Sequence, residues 1–597
     1  GQSDQGNPKD ENVTPDGSPG EGAPSEAQSP EAPSAPSYYG SNDAISDINV
    51  DNVIHHGRRD CNHTTVIKLA GSHRVMREIT MQHALESDSV EEWLQAIDKE
   101  VDAILSGTAV LIGGNHRLYD TAIKNATRSR ICLTEKRDGR KKARWIVQGC
   151  FEDRTNDDFS IYAHVASLTA FRSLCFRHDR RHRLMGAIDI TTAFLQSDPY
   201  GPDEPQRFIK LRNPRTQKLE YYLLLTPMYG QRSAPVRWEN TIAPWLVSEG
   251  FVRGANEPCA FYRAVDDTTV LLYVDDLLVD GDDAVVRDFF KTLSDRFKTT
   301  APVYLSADTP IDYLGIIISL DDDSISLSME AYHHKLLANM DMSSAKPLGT
   351  PITDQVAQSE PLSASEASRY RSGVGGVGWL ANTTRPDLAY VFSRLGQHLA
   401  HPSVSAMAAL THCLRYVAGT TTSGLRMPLD QDQQSANRFD FYSDSDHGGN
   451  TESQNARRSQ GCFIARQNGV AIRWASSTQS VTTISSTEAE IYAASAATQA
   501  FMHLSYVVSE LGIEGFPRPF DLYIDNNAAI IFMENTGGVT RLKHIDCRLN
   551  WVTQMRDRGI VIPCSVDTAD NLADIGTKIL PGPTFKLLAG AFMHLRF

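Results

Sequence analysis

Two carboxylates, Asp275 and Asp276, stand side by side in "LLYVDDLLVDG", residues 271–281, a run otherwise apolar and rich in β-branched side chains. Ionised and about 4 Å apart, they repel by roughly 4 kcal/mol at an effective dielectric near 20, before any desolvation cost. Two arrangements offset that. One is a solvated hairpin turn, where Asp is a common residue; the other is a divalent cation, since Mg²⁺ takes converging carboxylate oxygens. This stretch alone leaves both open. Upstream, "LMGAIDITTAFLQS" is a second apolar strand interrupted by one carboxylate, Asp189, with Phe194 five residues later. A strand end carrying Asp189 beside a hairpin carrying Asp275 and Asp276 gathers three carboxylates. That is enough for two Mg²⁺ ions about 4 Å apart to clamp the attacking and leaving oxygens of an in-line phosphoryl transfer. Between them, "TPMYGQRSAPVRW" holds Gly230 for close backbone approach, Arg232 as a cation and Pro235 to stiffen the turn, the makings of a wall for a bound triphosphate.

A second acidic set lies downstream. Asp444 ends the alternating stretch "RFDFYSD", Asp525 ends "FDLYID", and Asp574 lies in "NLADIGTK". Glu490 falls in the first turns of a helix begun by "SSTEAE", where Ser485 and Glu488 have capping-box spacing. Taken singly, each has a structural reading, because Asp and Glu are favoured at helix N-termini and in turns.

The elements that must position these groups follow from pattern. The chain has 597 residues, and a prior of about 150 residues per domain gives roughly three or four units. Its composition, 41% apolar and 22% charged, is that of a globular protein, with no apolar run long enough for a membrane span and a polar rather than signal-like N-terminus. The nine cysteines include no CxxC pair, which fits a reducing compartment. His55, His56, Cys61 and His63 lie close together, but their spacing matches no structural zinc pattern. A net charge of −15 argues against a protein that merely coats nucleic acid, and not against an enzyme acting on it. Residues 1–51 are Ser, Pro, Gly and acidic residues, a composition that predicts a disordered linker or tail. Helical periodicity begins with Val90, Trp93, Leu94, Ile97, Val101 and Ile104. Residues 124–144 concentrate Lys and Arg, either a solvated face or a set of phosphate contacts. Strands and helices then alternate to about Leu320, a helical middle section follows, and a strand-rich segment opens near "RFDFYSDSDHG". Gly373, Gly375 and Gly378 spell GxGxxG, but within a helical pattern, so close helix packing accounts for them better than dinucleotide binding.

In order along the chain, "AIDITTAFLQ", "MYGQRSAP", "LLYVDDLLV", "DYLGIII" and "NTTRPDLAY" resemble the reverse transcriptase of copia-type LTR retrotransposons, and "KKARWIVQG" resembles that family's fingers segment. The resemblance covers roughly Val90 to the C-terminus. It implies an α/β and α+β multidomain fold: a right-hand polymerase of fingers, palm and thumb with a helical connection, followed by an RNase H-like α/β domain. The boundaries expected are 1–75 for the linker, 76–325 for fingers and palm, 326–435 for thumb and connection, and 436–597 for the RNase H-like domain. It further implies Asp189, Asp275 and Asp276 as catalytic metal ligands, and Phe194 as an aromatic gate that crowds a ribonucleotide 2′-OH. Arg144 with Lys142 would contact the triphosphate, and Gly230, Arg232 and Tyr273 would complete the substrate-binding set. Arg232 stands where the family's "YGLKQAP" has Lys, which keeps the charge but changes its geometry.

Downstream, "SDSDHG", "SSTEAEI", "DNNAAI", "KHID" and "LADIGTK" resemble the same family's RNase H segment. They imply Asp444, Glu490, Asp525 and Asp574 as metal ligands, with Asp446 and Glu488 as second choices; His447 stands where the family usually has Trp. RNA selectivity would come from reading the 2′-OH across the shallow minor groove. The activity implied is RNA- and DNA-templated DNA synthesis with degradation of RNA in the hybrid, in retrotransposon replication, using two Mg²⁺ per site with Mn²⁺ able to substitute. Expected partners are RNA template, DNA primer and product, RNA–DNA hybrid, dNTPs, a tRNA primer and an integrase from the same polyprotein, with no membrane. The expected setting is cytoplasmic virus-like particles with nuclear entry. No protease or integrase signature is visible, so a piece of a longer polyprotein is expected. The rival class is a catalytically silent descendant that binds nucleic acid or builds particles; all seven ligand positions being acidic counts against it.

Overall fold

The computed structural model describes residues 77–135, 139–152, 161–429, 436–449, 457–534 and 546–596. The predicted N-terminal linker, the group His55, His56, Cys61 and His63, and all of the "KHID" word but its final Asp lie outside the described residues. Among the described residues, no helix is long and apolar enough to cross a membrane.

The helix Val90–Leu105, preceded by the short helix Met81–Leu85, follows its predicted periodicity and buries Trp93, Ile97 and Ile104. It shares a core with Trp145 and Val147 of the strand Lys141–Val147, which pairs antiparallel with Thr127–Glu135. Alternation along that strand sends Ala143 and Trp145 into the core and leaves Lys142 and Arg144 on its other face, partly exposed.

Next comes a six-stranded sheet in the order Val303–Tyr304, Leu184–Asp189, Asp276–Gly281, Thr268–Tyr273, Ala260–Arg263, Val252–Arg253, with every pairing antiparallel. The strands around Asp275 read as continuously apolar because both faces are covered. Val270, Leu272, Leu277 and Val279 pack under the helices Ala234–Ser248 and Asp283–Arg296, through Trp238, Ile242, Phe290 and Leu293. Leu271 and Leu278 face the other way, into a core shared with Phe171, Leu174 and Tyr313.

A four-stranded sheet then joins Ile311–Tyr313, Ile316–Leu320 and Ser324–Ser328 to Leu425–Pro428. The predicted helical section, with helices Glu330–Asn339, Ala364–Thr383, Ala389–Gly396 and Val404–Gly419, is therefore inserted between two strands of one sheet. Within Ala364–Thr383, a Cβ at Gly373 would strike Leu410 and Met340, and one at Gly378 would strike Phe392, as close packing requires. Gly375 faces open space and does not share that reason; Gly376, which would strike Leu336, takes its place. Beneath these helices Arg385 donates to both oxygens of Asp387 (3.0 and 2.8 Å), to the Thr420 carbonyl (3.0 Å) and to His333 Nε2 (3.0 Å), while the Tyr416 hydroxyl donates to Asp387. This buried ion pair is tolerated because its polar atoms are so densely partnered.

The C-terminal sheet runs Val470–Thr478, Gln460–Gln467, Phe439–Asp446, Phe520–Ile524, Val561–Ser565, antiparallel over its first three strands and parallel over the rest. The long helix Ser486–Glu510 lies against it. Polar contacts tie this sheet to the preceding ones: Gln467 Nε2 donates to the carbonyls of Ser173 and Phe176, and Glu510 accepts the backbone N–H groups of Ala255, Asn256 and Glu257.

Candidate active sites

The hairpin at the centre of the six-stranded sheet turns on two residues, Val274 and Asp275, between the paired Tyr273 and Asp276. Val274 adopts φ +56°, a conformation that a β-branched residue rarely takes and that a two-residue turn normally gives to glycine. Its carbonyl accepts the Trp238 indole N–H at 2.5 Å, which ties the turn to the helix below. The stretch is thus a hairpin turn, and its register brings a carboxylate from the neighbouring strand opposite its own. Asp276 stands directly opposite Asp189 in the antiparallel register, and the Asp275 carbonyl accepts the Ile190 N–H at 2.8 Å. The Asp189 strand end is held by Thr300, whose N–H donates to the Asp189 carbonyl at 2.9 Å.

Electrostatics register this crowding. Burial first, then the charges of Asp275 and Asp189, push the Asp276 carboxyl up to about 8. Asp275 is raised by burial and by Asp189, and Asp189 by burial; Arg144 and Lys142 oppose both shifts. Lys142 and Arg144, on the face of Lys141–Val147 opposite the core, thus lie near enough to act on the carboxylates. Among the described residues these three aspartates do not bring one oxygen each within 4.8 Å of one another, whereas the C-terminal set does.

Tyr229, which the sequence patterns did not single out, organises the wall of this site. The Arg144 guanidinium lies 4.8 Å from the centre of its ring, and the Phe194 ring is 5.8 Å away on the short helix Ala193–Gln196. Gly230, at φ +83°, has the close approach expected of it, but to the protein's own backbone: a Cβ there would strike the Val147 carbonyl. The Val147 N–H donates to Tyr229 and the Gly149 N–H to Gly230, so this glycine joins the wall to the basic strand. The Arg232 N–H is held by Glu152 at 2.9 Å, and Tyr273 packs against the main core.

In the C-terminal sheet, Asp444 is interior to the strand Phe439–Asp446 rather than at its end, and is 1% exposed. Phe441 and Tyr442 pair in parallel with Leu522 and Tyr523, and continuing that register sets Asp525 beside Asp444. Asp574 arrives on the 3₁₀ turn Leu572–Gly576, anchored by Asn571, whose Nδ2 donates to the Ser443 carbonyl. One oxygen from each of Asp444, Asp525 and Asp574 falls within 4.8 Å of the others.

Glu490, on the second turn of Ser486–Glu510, accepts the Ser445 N–H at 3.3 Å with Oε1, and its buried Oε2 has no hydrogen-bond partner. Burial, then Asp444 and Asp525, hold its pKa well above the usual carboxylate range. Asp574 is pushed up to about 7 by burial and by Asp444, and Asp444 is raised by burial. Three clustered carboxylates and a fourth with an orphaned oxygen fit a hard divalent cation. Glu488 instead caps its helix, accepting the Ile484 N–H at 2.7 Å, while Asp446 sits partly buried at the strand end. His447 Nε2 donates to the Thr483 carbonyl. Lys578, another residue the patterns did not single out, places Nζ 2.7 Å from Asp574 and 3.4 Å from Asp444.

Comparison with known proteins bears on the part of the chain that holds the first centre and on the relatives of the chain as a whole. Residues 124–354 match the family described as reverse transcriptase (RNA-dependent DNA polymerase). The chain is 26% identical, over 85% of its length, to the "Retrovirus-related Pol polyprotein from transposon TNT 1-94" of Nicotiana tabacum. It is 28% identical over 84% of its length to the corresponding RE2 protein of Arabidopsis thaliana, and 24% identical over 84% to the "Transposon Ty1-GR3 Gag-Pol polyprotein" of Saccharomyces cerevisiae. It spans only 38%, 34% and 29% of those three proteins. The chain carries a reverse transcriptase domain and is, across most of its length, a homologue of the Pol polyproteins of copia-type retrotransposons.

Proposed function

We propose that the chain copies RNA or DNA into DNA at Asp189, Asp275 and Asp276 and cuts the RNA of the resulting hybrid at Asp444, Glu490, Asp525 and Asp574, as part of retrotransposon replication. The observation that carries the reading is the register pairing of Asp276 with Asp189 at the tip of a strained hairpin, in reach of Lys142 and Arg144. In this reading the six-stranded sheet is the palm, the basic strand Lys141–Val147 belongs to the fingers, the helical insertion is thumb and connection, and the last sheet is the RNase H-like domain. The strand order of that sheet, antiparallel then parallel, with acidic residues on two adjacent central strands, supports the last assignment.

At each centre Mg²⁺ or Mn²⁺ ions, when bound, would supply Lewis-acid stabilisation of the attacking and leaving oxygens. The protein's own contributions differ between the two. At the first, Asp189 and Asp276 present oxygens from adjoining strands, while Arg144, braced on Tyr229, and Lys142 meet the charge of an incoming triphosphate. Phe194, packed beside Tyr229, crowds the position of a sugar 2′-OH and favours dNTPs. At the second, Asp444, Asp525, Asp574 and Glu490 orient the cut phosphate and the attacking water. A tRNA primer, an integrase from the same polyprotein and assembly within cytoplasmic virus-like particles with nuclear entry complete the proposed setting.

The test is one incubation: purified chain, an RNA template annealed to a labelled DNA primer, dNTPs and Mg²⁺ or Mn²⁺. Primer lengthening together with shortening of the RNA supports the reading. Neither product under any divalent ion would favour a silent, nucleic-acid-binding descendant.

A further inference from the structure

Lys578 sits where an ion would. Its Nζ lies 2.7 Å from Asp574 Oδ1 and 3.4 Å from Asp444 Oδ1, two of the three carboxylates that converge within 4.8 Å. Asp444 is otherwise held by the Thr577 hydroxyl, which donates to its second oxygen. The lysine is rooted one turn beyond Asp574, its own N–H donating to the Asp574 carbonyl at 3.1 Å, so its stem is fixed while its head occupies the cluster. About a third of its side chain remains exposed, which leaves the head a route out toward solvent. Glu490 also feels the lysine's charge, and its buried Oε2 has no hydrogen-bond partner.

Buried carboxylates this close repel one another, and a cation among them offsets that repulsion. We infer that Lys578 is a resident cation: its ammonium holds Asp444 and Asp574 together in the metal-free protein and is displaced by the entering divalent ion, so that it opposes metal binding while keeping the site formed. The inference rests on the RNase H reading of this cluster. It makes Lys578 a positioning residue, acting through the carboxylates and not on the nucleic acid.

The experiment measures Mn²⁺ binding to the full chain by electron paramagnetic resonance, with the ions lost in Asp574→Asn defining the C-terminal site. Lys578→Met removes the charge at similar length, and is expected to bind those ions about tenfold tighter. The same variant should melt at a lower temperature than wild type in EDTA, with Mn²⁺ restoring more than it adds to wild type. Lys578→Arg, which keeps the charge, should bind no tighter than wild type. Unchanged or weaker binding by Lys578→Met, or equal tightening in Lys578→Arg, would overturn the role of the charge. If Lys578→Met folds only in Mn²⁺, the inference is supported; if it folds in neither condition, tightening in Lys578→Arg still contradicts it. If Asp574→Asn loses no bound Mn²⁺, the metal-site reading itself fails, which is a different result from an unchanged Lys578→Met.

Discussion

Asp189 and Asp276 face each other directly across two antiparallel strands, with Lys142 and Arg144 acting on Asp189 from the basic strand, whereas Lys578 is held against both Asp444 and Asp574. Those charges only partly offset the crowding, since burial and, at Asp275 and Asp276, the neighbouring aspartates still hold all three carboxyls above their usual range, and replacing one of them should relieve it. Asp276→Asn is expected to melt at a higher temperature than wild type in EDTA near neutral pH while losing DNA synthesis by about 1000-fold or more, the equivalent of roughly 4 kcal/mol of transition-state stabilisation. Calorimetry and primer extension on the same preparations check the two halves of this outcome.

The two centres lie on different sheets, so each should fail alone. Asp275→Asn is expected to end primer extension and leave RNA cleavage in a preformed hybrid within about twofold of wild type. Glu490→Gln should do the reverse. Loss of both activities in either folded variant would mean that the centres are not independent.

Phe194 and Arg144 meet on Tyr229. Phe194→Val opens the space beside Tyr229, and the preference for dNTPs over rNTPs should fall by roughly 10- to 100-fold, in the range a few missing methylenes allow. Arg144→Ala should raise the KM for dNTP more than it lowers kcat, and Arg144→Lys should recover only part of the loss, because the ammonium cannot stack on the ring as the guanidinium does. Steady-state kinetics with each nucleotide class separate these effects.

His333, bonded to Arg385 beneath the helical section, supplies a pH dependence that involves none of the seven carboxylates. Burial, reinforced by the charge of Arg385, lowers its pKa to about 3, and it accepts from Arg385 through Nε2 while Nδ1 donates to the Met329 carbonyl. A folded-state pKa below the unfolded value of 6.5 means that stability is fully present above pH 6.5 and is lost as the pH falls toward 3. The loss amounts to about 1.4 kcal/mol per pH unit within that window. His333→Gln, which keeps an acceptor and a donor, should be less stable than wild type at pH 7 by about 1 kcal/mol and lose less on acidification. Melting temperatures from pH 7 to pH 4 would show the two proteins converging; parallel curves would contradict the assignment.

The legible part of this chain was its acidic punctuation. Asp189 and the Asp275–Asp276 pair interrupt apolar runs whose burial on both faces made them conspicuous, and the helix carrying Glu490 announced itself through Ser485 and Glu488. What was not legible depends on contacts between distant segments. Tyr229 looks like one more aromatic until the Val147 and Gly149 amides pin its loop to the basic strand. Lys578 looks like a surface lysine until the parallel strand Phe520–Ile524 brings Asp525 beside Asp444 and the later turn Leu572–Gly576 brings Asp574 to the same place. The glycines of Ala364–Thr383 show the same limit: helical spacing locates the helix, but only its neighbours reveal that Gly376, and not Gly375, is the position that must stay small.

Primer extension on an RNA template, run with wild type, Asp189→Asn and Asp276→Asn in the presence of Mg²⁺ or Mn²⁺, tests the central claim most directly. Opposed carboxylates on the two strands predict extension by wild type alone and near-complete loss in both variants. Extension by either variant at the wild-type rate, or none by folded wild type, would contradict it.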